Sequence, residues 1–333
     1  MSASVAIVGA GGWGTALSVT MAKVHERVLL WAYEPDLVDM IQKERTNSIY
    51  LPGIPIPEVV QPSASIEEVL QGADIVIVAV PSHVCRAVSL QMLPYVRPDM
   101  KFVTATKGIE NGTLMRMSGV LQDVIGPRFT PEVAAISGPT FALEVAQGQL
   151  TALVVASPDA DLRRHLQQEL SAPHFRLYTN PDIVGVEIGG SVKNVIAIAA
   201  GVLSGLNLGH NAMAALITRG LAEIMRLAEA CGGESATLAG LAGLGDLVLT
   251  CTGHLSRNRQ VGVALGEGRR LEEIISSMRM VAEGIKTSES TAALARTLSV
   301  DMPIARQVYS VLHEEKDPRD AIDELMVREL REE

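Results

Sequence analysis

Cysteine is scarce: Cys85, Cys231 and Cys251 are the three in 333 residues. They show no CxxC or Cys/His spacing. That argues against a disulfide framework or a structural zinc site and suits a reducing cytosol. No metal-ligand set is expected. Positive charge is also in deficit. The net charge of −10 gives no general affinity for nucleic acid or for an anionic membrane. An anionic ligand would need positive charge gathered at one place. No basic stretch precedes the first apolar run, which is short and leads straight into glycines, so it reads as a strand and not as a signal peptide. The apolar run after Lys193 is broken by Ser204, Gly205 and Asn207. It falls short of the ~20 clean residues that span a bilayer. There is no internal repeat and no low-complexity segment.

What remains is a globular composition, 47% hydrophobic and 20% charged, long enough for two ordinary domains. Val5–Val8 is strand-like and enters Gly9-Ala10-Gly11-Gly12-Trp13-Gly14, after which a helix pattern begins. A second apolar run, Val28–Tyr33, ends in Glu34. A GxGxxG between strand and helix, with an acid about 20 residues on, is the context a dinucleotide site requires. Gly9 serves the tight turn, Gly11 the close approach of a pyrophosphate, and Gly14 helix–strand packing. A plain glycine turn, or the glycine turn of a methyltransferase, is the weaker alternative.

Apolar runs at Asp74–Val80, Phe102–Thr106, Val133–Ile136, Thr151–Ala156 and Phe175–Tyr178 alternate with helix-period segments. This predicts a mostly parallel, doubly wound Rossmann-type sheet domain. Ligands bind such sheets beyond the carboxyl ends of the strands, where Lys107 and the Ser137–Thr140 turn fall. After Asn180-Pro181 helical periods take over. The expected organisation is therefore α/β: a dinucleotide-binding domain over residues 1–180 and an all-helical substrate and catalytic domain over 181–333.

The segment Ile188–Gly201 holds one charge, Lys193, in an apolar helix with Gly189, Gly190 and Asn194 beside it. Burying an ammonium is costly, so Lys193 either snorkels to water or is a catalytic lysine of lowered pKa. Asp246, flanked by glycine and apolar residues, reads as a helix N-cap or as a site acid. Ser256 suits an N-cap. Arg257 in the following first turn is unfavourable to the helix dipole unless an anion sits there. A surface arginine is the bland alternative.

Taken together, GAGGWGTAL (Gly9–Leu17), VPSH (Val80–His83), TKG (Thr106–Gly108), SGPTFA (Ser137–Ala142), GGSVKNVIAIAAG (Gly189–Gly201), ALITRGLAE (Ala215–Glu223), AGLGDLVLTCT (Ala242–Thr252) and SRNR (Ser256–Arg259) resemble the bacterial NAD(P)-dependent glycerol-3-phosphate dehydrogenases. The resemblance runs over nearly the whole chain. It implies reversible hydride transfer between a nicotinamide and C2 of dihydroxyacetone phosphate or sn-glycerol 3-phosphate. It also implies a dissociable NAD or NADP, a role in phospholipid synthesis, a cytoplasmic location and a homodimer. Lys193 would be the proton-transfer group, with Asp246, Asn194 and Thr250 around it. Lys107, Gly138, Thr140, Ser256, Arg257 and Asn258 would complete the substrate site. Gly12, Trp13, Tyr33, Glu34, Lys107, Ala142, Arg257, Val281 and Glu283 would join Gly9, Gly11 and Gly14 around the cofactor. Two positions depart from the family: Gly12 replaces a frequent serine, and Tyr33-Glu34 replaces a frequent histidine-led pair. The rival readings are a related two-domain dehydrogenase acting on another small anion, and a nicotinamide-binding sensor without chemistry.

Overall fold

A computed structural model describes residues 3–278 and 282–329. The first half contains β1 (Val5–Val8), α1 (Gly12–Met21), β2 (Val28–Trp31), α2 (Pro35–Glu44), β3 (Thr46–Asn47), β4 (Leu51–Pro55), β5 (Val60–Ser63), α3 (Ile66–Leu70), β6 (Ile75–Val78), α4 (Cys85–Met92), β7 (Lys101–Thr104), α5 (Met117–Ile125), β8 (Glu132–Ser137), α6 (Ala142–Ala146), β9 (Thr151–Ala156), α7 (Ala160–Leu170) and β10 (Phe175–Asn180). The second half contains α8 (Ile183–Gly205), α9 (Gly209–Ala230), α10 (Ser235–Leu238), α11 (Asp246–Thr252), α12 (Arg257–Gly266), α13 (Leu271–Ser277), α14 (Glu283–Thr297), α15 (Pro303–His313) and α16 (Pro318–Met326).

Eight strands form one sheet in the order β10-β9-β8-β7-β6-β1-β2-β5. All neighbours pair parallel except β8 and β9, which are antiparallel. The central strands β1, β2 and β6 are buried along their whole length. This explains their unbroken apolar sequence: helices cover both faces of the sheet. Ile7, Leu30 and Ile77 pack with α1 on one face. Val8, Val76 and Phe102 pack with α4 and α5 on the other. The predicted doubly wound sheet domain followed by helices is what the chain adopts.

Three strands were not expected from the sequence. β5 adds an edge to the main sheet, and β3 and β4 form a separate antiparallel hairpin. Pro52, Gly53 and Pro55 make the hairpin look like loop in the sequence.

The second half is built round α8, whose apolar residues are buried among neighbouring helices. By length and composition α8 is able to cross a bilayer, but 83% of its apolar window lies inside the fold. It is a core helix. Its closest partner is α12. A Cβ on Gly201 would strike the Arg259 carbonyl, and one on Gly262 would strike the Ile198 carbonyl. The two helices therefore touch backbone to backbone.

Candidate active site

The glycine loop has the shape of an anion cradle. Gly9 has φ +118, and a Cβ there would meet the Ala79 backbone at 2.9 Å. Gly14 packs against the Gly9 carbonyl, again with no room for a side chain. Space is open where a Cβ on Gly11 would project. Gly11 caps α1 without a side-chain hydrogen bond, and the first turn holds no acid. The N–H groups at this terminus remain for a negative ligand. The indole Nε1–H of Trp13 is buried without a partner among the described residues. Ala142, at the start of α6, lies against Gly12. These features fit a dinucleotide pyrophosphate. At the end of β2, Tyr33 is 73% exposed, and Glu34 is exposed with its carboxylate accepting from the Tyr50 hydroxyl at 2.9 Å.

Lys193 lies in mid-α8, 5% exposed, and does not reach water. Val192, Val195 and Ile196 beside it are fully buried. Each contributes roughly 1.5–3 kcal/mol, which lets the helix carry an ammonium inside. The Lys193 Nζ donates to Asp246 Oδ1 and, at 3.0 Å, to Thr250 Oγ1. Burial pulls its pKa down to about 7, against the opposing pull of Asp246. Snorkelling is excluded by this geometry.

Asp246 is fully buried. It is not a helix N-cap: Gly245 takes that place, and Asp246 opens α11. A π-helical turn over Leu241–Gly245, closed by Gly245 N–H to the Gly240 carbonyl at 3.1 Å, delivers it. Its second oxygen accepts from Lys107 Nζ at 2.8 Å. Lys107 follows β7 and also donates to the Gly138 carbonyl at 3.2 Å and to Thr140 Oγ1 at 3.4 Å. The strand-end residues of the sheet and the buried pair of the helices thus meet at one carboxylate. Gly189 and Gly190 assist by bringing protein together: Gly189 abuts the Ala242 carbonyl and Gly190 the Ser137 hydroxyl.

A second cluster adjoins the first. Asn194 Oδ1 accepts from Asn258 Nδ2 at 3.0 Å, and Asn258 Oδ1 accepts from Gly284 N–H at 2.8 Å. Ser256 caps α12 by accepting from the Arg259 N–H at 3.2 Å. Its hydroxyl satisfies the helix itself, as an N-cap should. Arg257 occupies the first turn beside it and keeps contact with solvent. Protein crowded round its guanidinium lowers its pKa, while the Glu283 carboxylate opposes that shift. Glu283 opens α14 and accepts from the Ser82 hydroxyl at 2.6 Å; burial raises its pKa. Val281 lies outside the described residues.

Sequence reasoning missed Ser82, which links the loop after β6 to Glu283, and Tyr50, which holds Glu34. It also missed Glu187, a buried acid on α8. Glu187 accepts from Ser118 N–H at 2.8 Å and from Arg116, fastening α8 to the start of α5. A lone acid in an apolar helix was the available signal. An apolar cavity lined by Ile198, Val202, Leu216, Ile304 and Val308 lies elsewhere, carries no ionisable group, and is not this site.

The model of the NAD-dependent glycerol-3-phosphate dehydrogenase N-terminus matches residues 4–163, and that of the C-terminus matches 182–323. A glycerol-3-phosphate dehydrogenase [NAD(P)+] of Koribacter versatilis is 55% identical, with 97% of each chain covered. That of Geobacter metallireducens is 51% identical, covering 99% of this chain and 98% of its own. The crystal structure of glycerol-3-phosphate dehydrogenase from Coxiella burnetii superposes with a TM-score of 0.94 at 42% identity, covering 98% of this chain and 99% of its own. A glycine cradle, a buried lysine–aspartate pair and these matches along the whole chain converge: the chain belongs to the NAD(P)-dependent glycerol-3-phosphate dehydrogenases, a family of oxidoreductases.

Proposed function

We propose that the chain interconverts dihydroxyacetone phosphate and sn-glycerol 3-phosphate, with Lys193 moving the proton at the C2 oxygen. The observation that carries this is a desolvated lysine held by Asp246 and Thr250, with Lys107 on the other carboxylate oxygen. A nicotinamide bound at the glycine loop supplies or accepts the hydride. In reduction Lys193 donates a proton to the ketone oxygen; in oxidation it accepts one from the hydroxyl. Thr250 and Asp246 hold its Nζ in place, and Asn194 fixes Asn258 beside it.

Lys107, Gly138, Thr140, Ser256, Arg257 and Asn258 form the substrate site in this reading. Arg257, at the start of α12, meets the phosphate with the helix N-terminus behind it. Gly9, Gly11, Gly12, Trp13, Gly14, Tyr33, Glu34, Lys107, Ala142, Arg257 and Glu283 line the cofactor groove, and Val281, outside the described residues, is assigned to the cofactor by the family resemblance alone. Glu34 favours NAD over NADP because its charge opposes a 2′-phosphate. We place the domain division at residue 180, between β10 and α8. The enzyme is assigned to the cytoplasm as a homodimer, supplying phospholipid synthesis.

Loss of NADH absorbance on adding dihydroxyacetone phosphate tests the reading. Dihydroxyacetone without phosphate should turn over far more slowly. Equal rates on the two would remove the phosphate site. No oxidation of NADH with either would leave a nicotinamide-binding protein without this chemistry.

A further inference from the structure

The hairpin β3–β4 is fastened to the glycine loop, and its fastening explains the position of one side chain. Asn47 is fully buried. Its Nδ2 donates to the Ala10 carbonyl at 2.9 Å and to Thr15 Oγ1 at 2.8 Å. Its Oδ1 accepts from the Tyr50 N–H at 3.0 Å. Leu51 and Ile54 anchor β4 in the core beneath α1. Gly12 completes the contact, since a Cβ there would meet the Tyr50 carbonyl at 2.9 Å. The backbone of residue 50 is thereby set against the cradle, and its side chain reaches Glu34, which follows β2.

There the Tyr50 hydroxyl donates to Glu34 Oε1 at 2.9 Å. Glu34 is the N-cap residue of α2 but makes no side-chain capping bond. Its carboxylate is committed to Tyr50 instead of to its own helix. We propose that Tyr50 is a specificity-setting residue: its hydroxyl fixes the Glu34 carboxylate so that the adenosine end of the groove accepts a free ribose 2′-hydroxyl and rejects a 2′-phosphate. The proposal rests on the reading that Glu34 faces this ribose.

A carboxylate on a flexible side chain rejects a phosphate weakly, because it can rotate into solvent. One held by a hydrogen bond must break that bond to leave, and hydrogen bonds to ionised acceptors are the stronger kind. The two cations that next follow β2 in sequence have partners of their own. Lys43 pairs with Asp39 at 3.2 Å. Arg45, in a left-handed conformation at φ 54, donates to the carbonyls of Ile56 at 3.1 Å, Val60 at 2.9 Å and Pro57. Arg45 closes the base of the hairpin and is spent there. Burial and the Glu34 charge both raise the Tyr50 pKa, so the phenol remains a donor at neutral pH.

The test measures NADH and NADPH affinity by calorimetry without substrate, for the wild type, Tyr50→Phe, Glu34→Gln and the double variant. Phenylalanine keeps the ring and its packing, so the melting temperature reports whether the hairpin is intact. Glu34→Gln should lower the preference for NADH about tenfold, and Tyr50→Phe about threefold, as suits a partly exposed bond. The double variant should match Glu34→Gln alone. If Tyr50→Phe leaves the preference unchanged while Glu34→Gln shifts it, Tyr50 is only a brace and the proposal falls. If Tyr50→Phe acts equally in the Glu34→Gln background, it does not work through Glu34, and the proposal also falls. An unchanged preference in Glu34→Gln removes the underlying reading of Glu34 itself.

Discussion

Lys107 Nζ lies 2.8 Å from Asp246 Oδ2, an ion pair between residues 139 apart in sequence. One comes from the end of a sheet strand and the other from the first turn of a helix. The pair brings the two halves of the chain together where the chemistry is proposed. Because Asp246 also holds Lys193, two ammonium groups share one buried carboxylate.

Lys193→Ala should lower kcat/KM for dihydroxyacetone phosphate by about 10²–10⁴, the usual value of a general acid–base group. NADH affinity should stay near that of the wild type, because the glycine cradle lies on another element. Steady-state rates and calorimetry check both halves. A variant with wild-type kcat/KM would sink the assignment.

The pH profiles of the two directions should mirror each other. Oxidation needs the neutral amine, so its kcat/KM should rise with pH through about 7, the value to which burial pulls Lys193. Reduction needs the ammonium and should fall through the same region. Asp246→Asn removes a charge that favours the ammonium, so both limbs should move to lower pH. Flat profiles in both directions would contradict the role of Lys193.

Arg257→Ala should raise KM for the phosphate substrate strongly, a loss of about 2–4 kcal/mol in binding. Thermal stability should change little, since the side chain keeps contact with solvent. Comparison of dihydroxyacetone phosphate with dihydroxyacetone gives the control: the variant should lose most of the discrimination between them. An unchanged KM would make Arg257 a surface residue.

Glu223 gives a stability prediction away from the site. It is buried on α9 and accepts the N–H groups of Ile304 at 2.7 Å and Ala305 at 3.1 Å, capping α15. Burial raises its pKa from 4.5 to about 7, with Asp301 acting in the same sense and Arg226 and the two N–H donors opposing. The folded state then binds more protons than the unfolded state between these values. Its contribution is present below 4.5 and is lost as pH rises through about 7. Glu223→Gln should remove that slope, at most about 1.4 kcal/mol per pH unit. Urea midpoints at several pH values for both proteins would show it; parallel curves would disprove it.

The glycine cradle was legible because turn, helix start and strand contact each constrain the backbone locally. Lys193 was legible because an ammonium in an apolar helix contradicts ordinary burial. Its partners were harder to see. No periodicity joins Lys107 to Asp246, and a glycine-rich stretch concealed the π-helical turn that aims the aspartate. α14 begins at Glu283, although the apolar pattern pointed to Ser288, because polar first turns carry no hydrophobic signal. The hairpin escaped for the opposite reason: its prolines and glycine imitate a loop, and so Tyr50 was never considered.

The backbone contact between α8 and α12 has a consequence for which molecules fit. α8 carries Lys193, and α12 begins with Ser256 and Arg257. With Gly201 and Gly262 in contact, the two helices lie closer than any side chain at these positions would allow. The offset between Lys193 and the start of α12 is therefore set in part by two absent side chains. On the function proposed above, that offset would select for the spacing between a substrate's reacting oxygen and its phosphate.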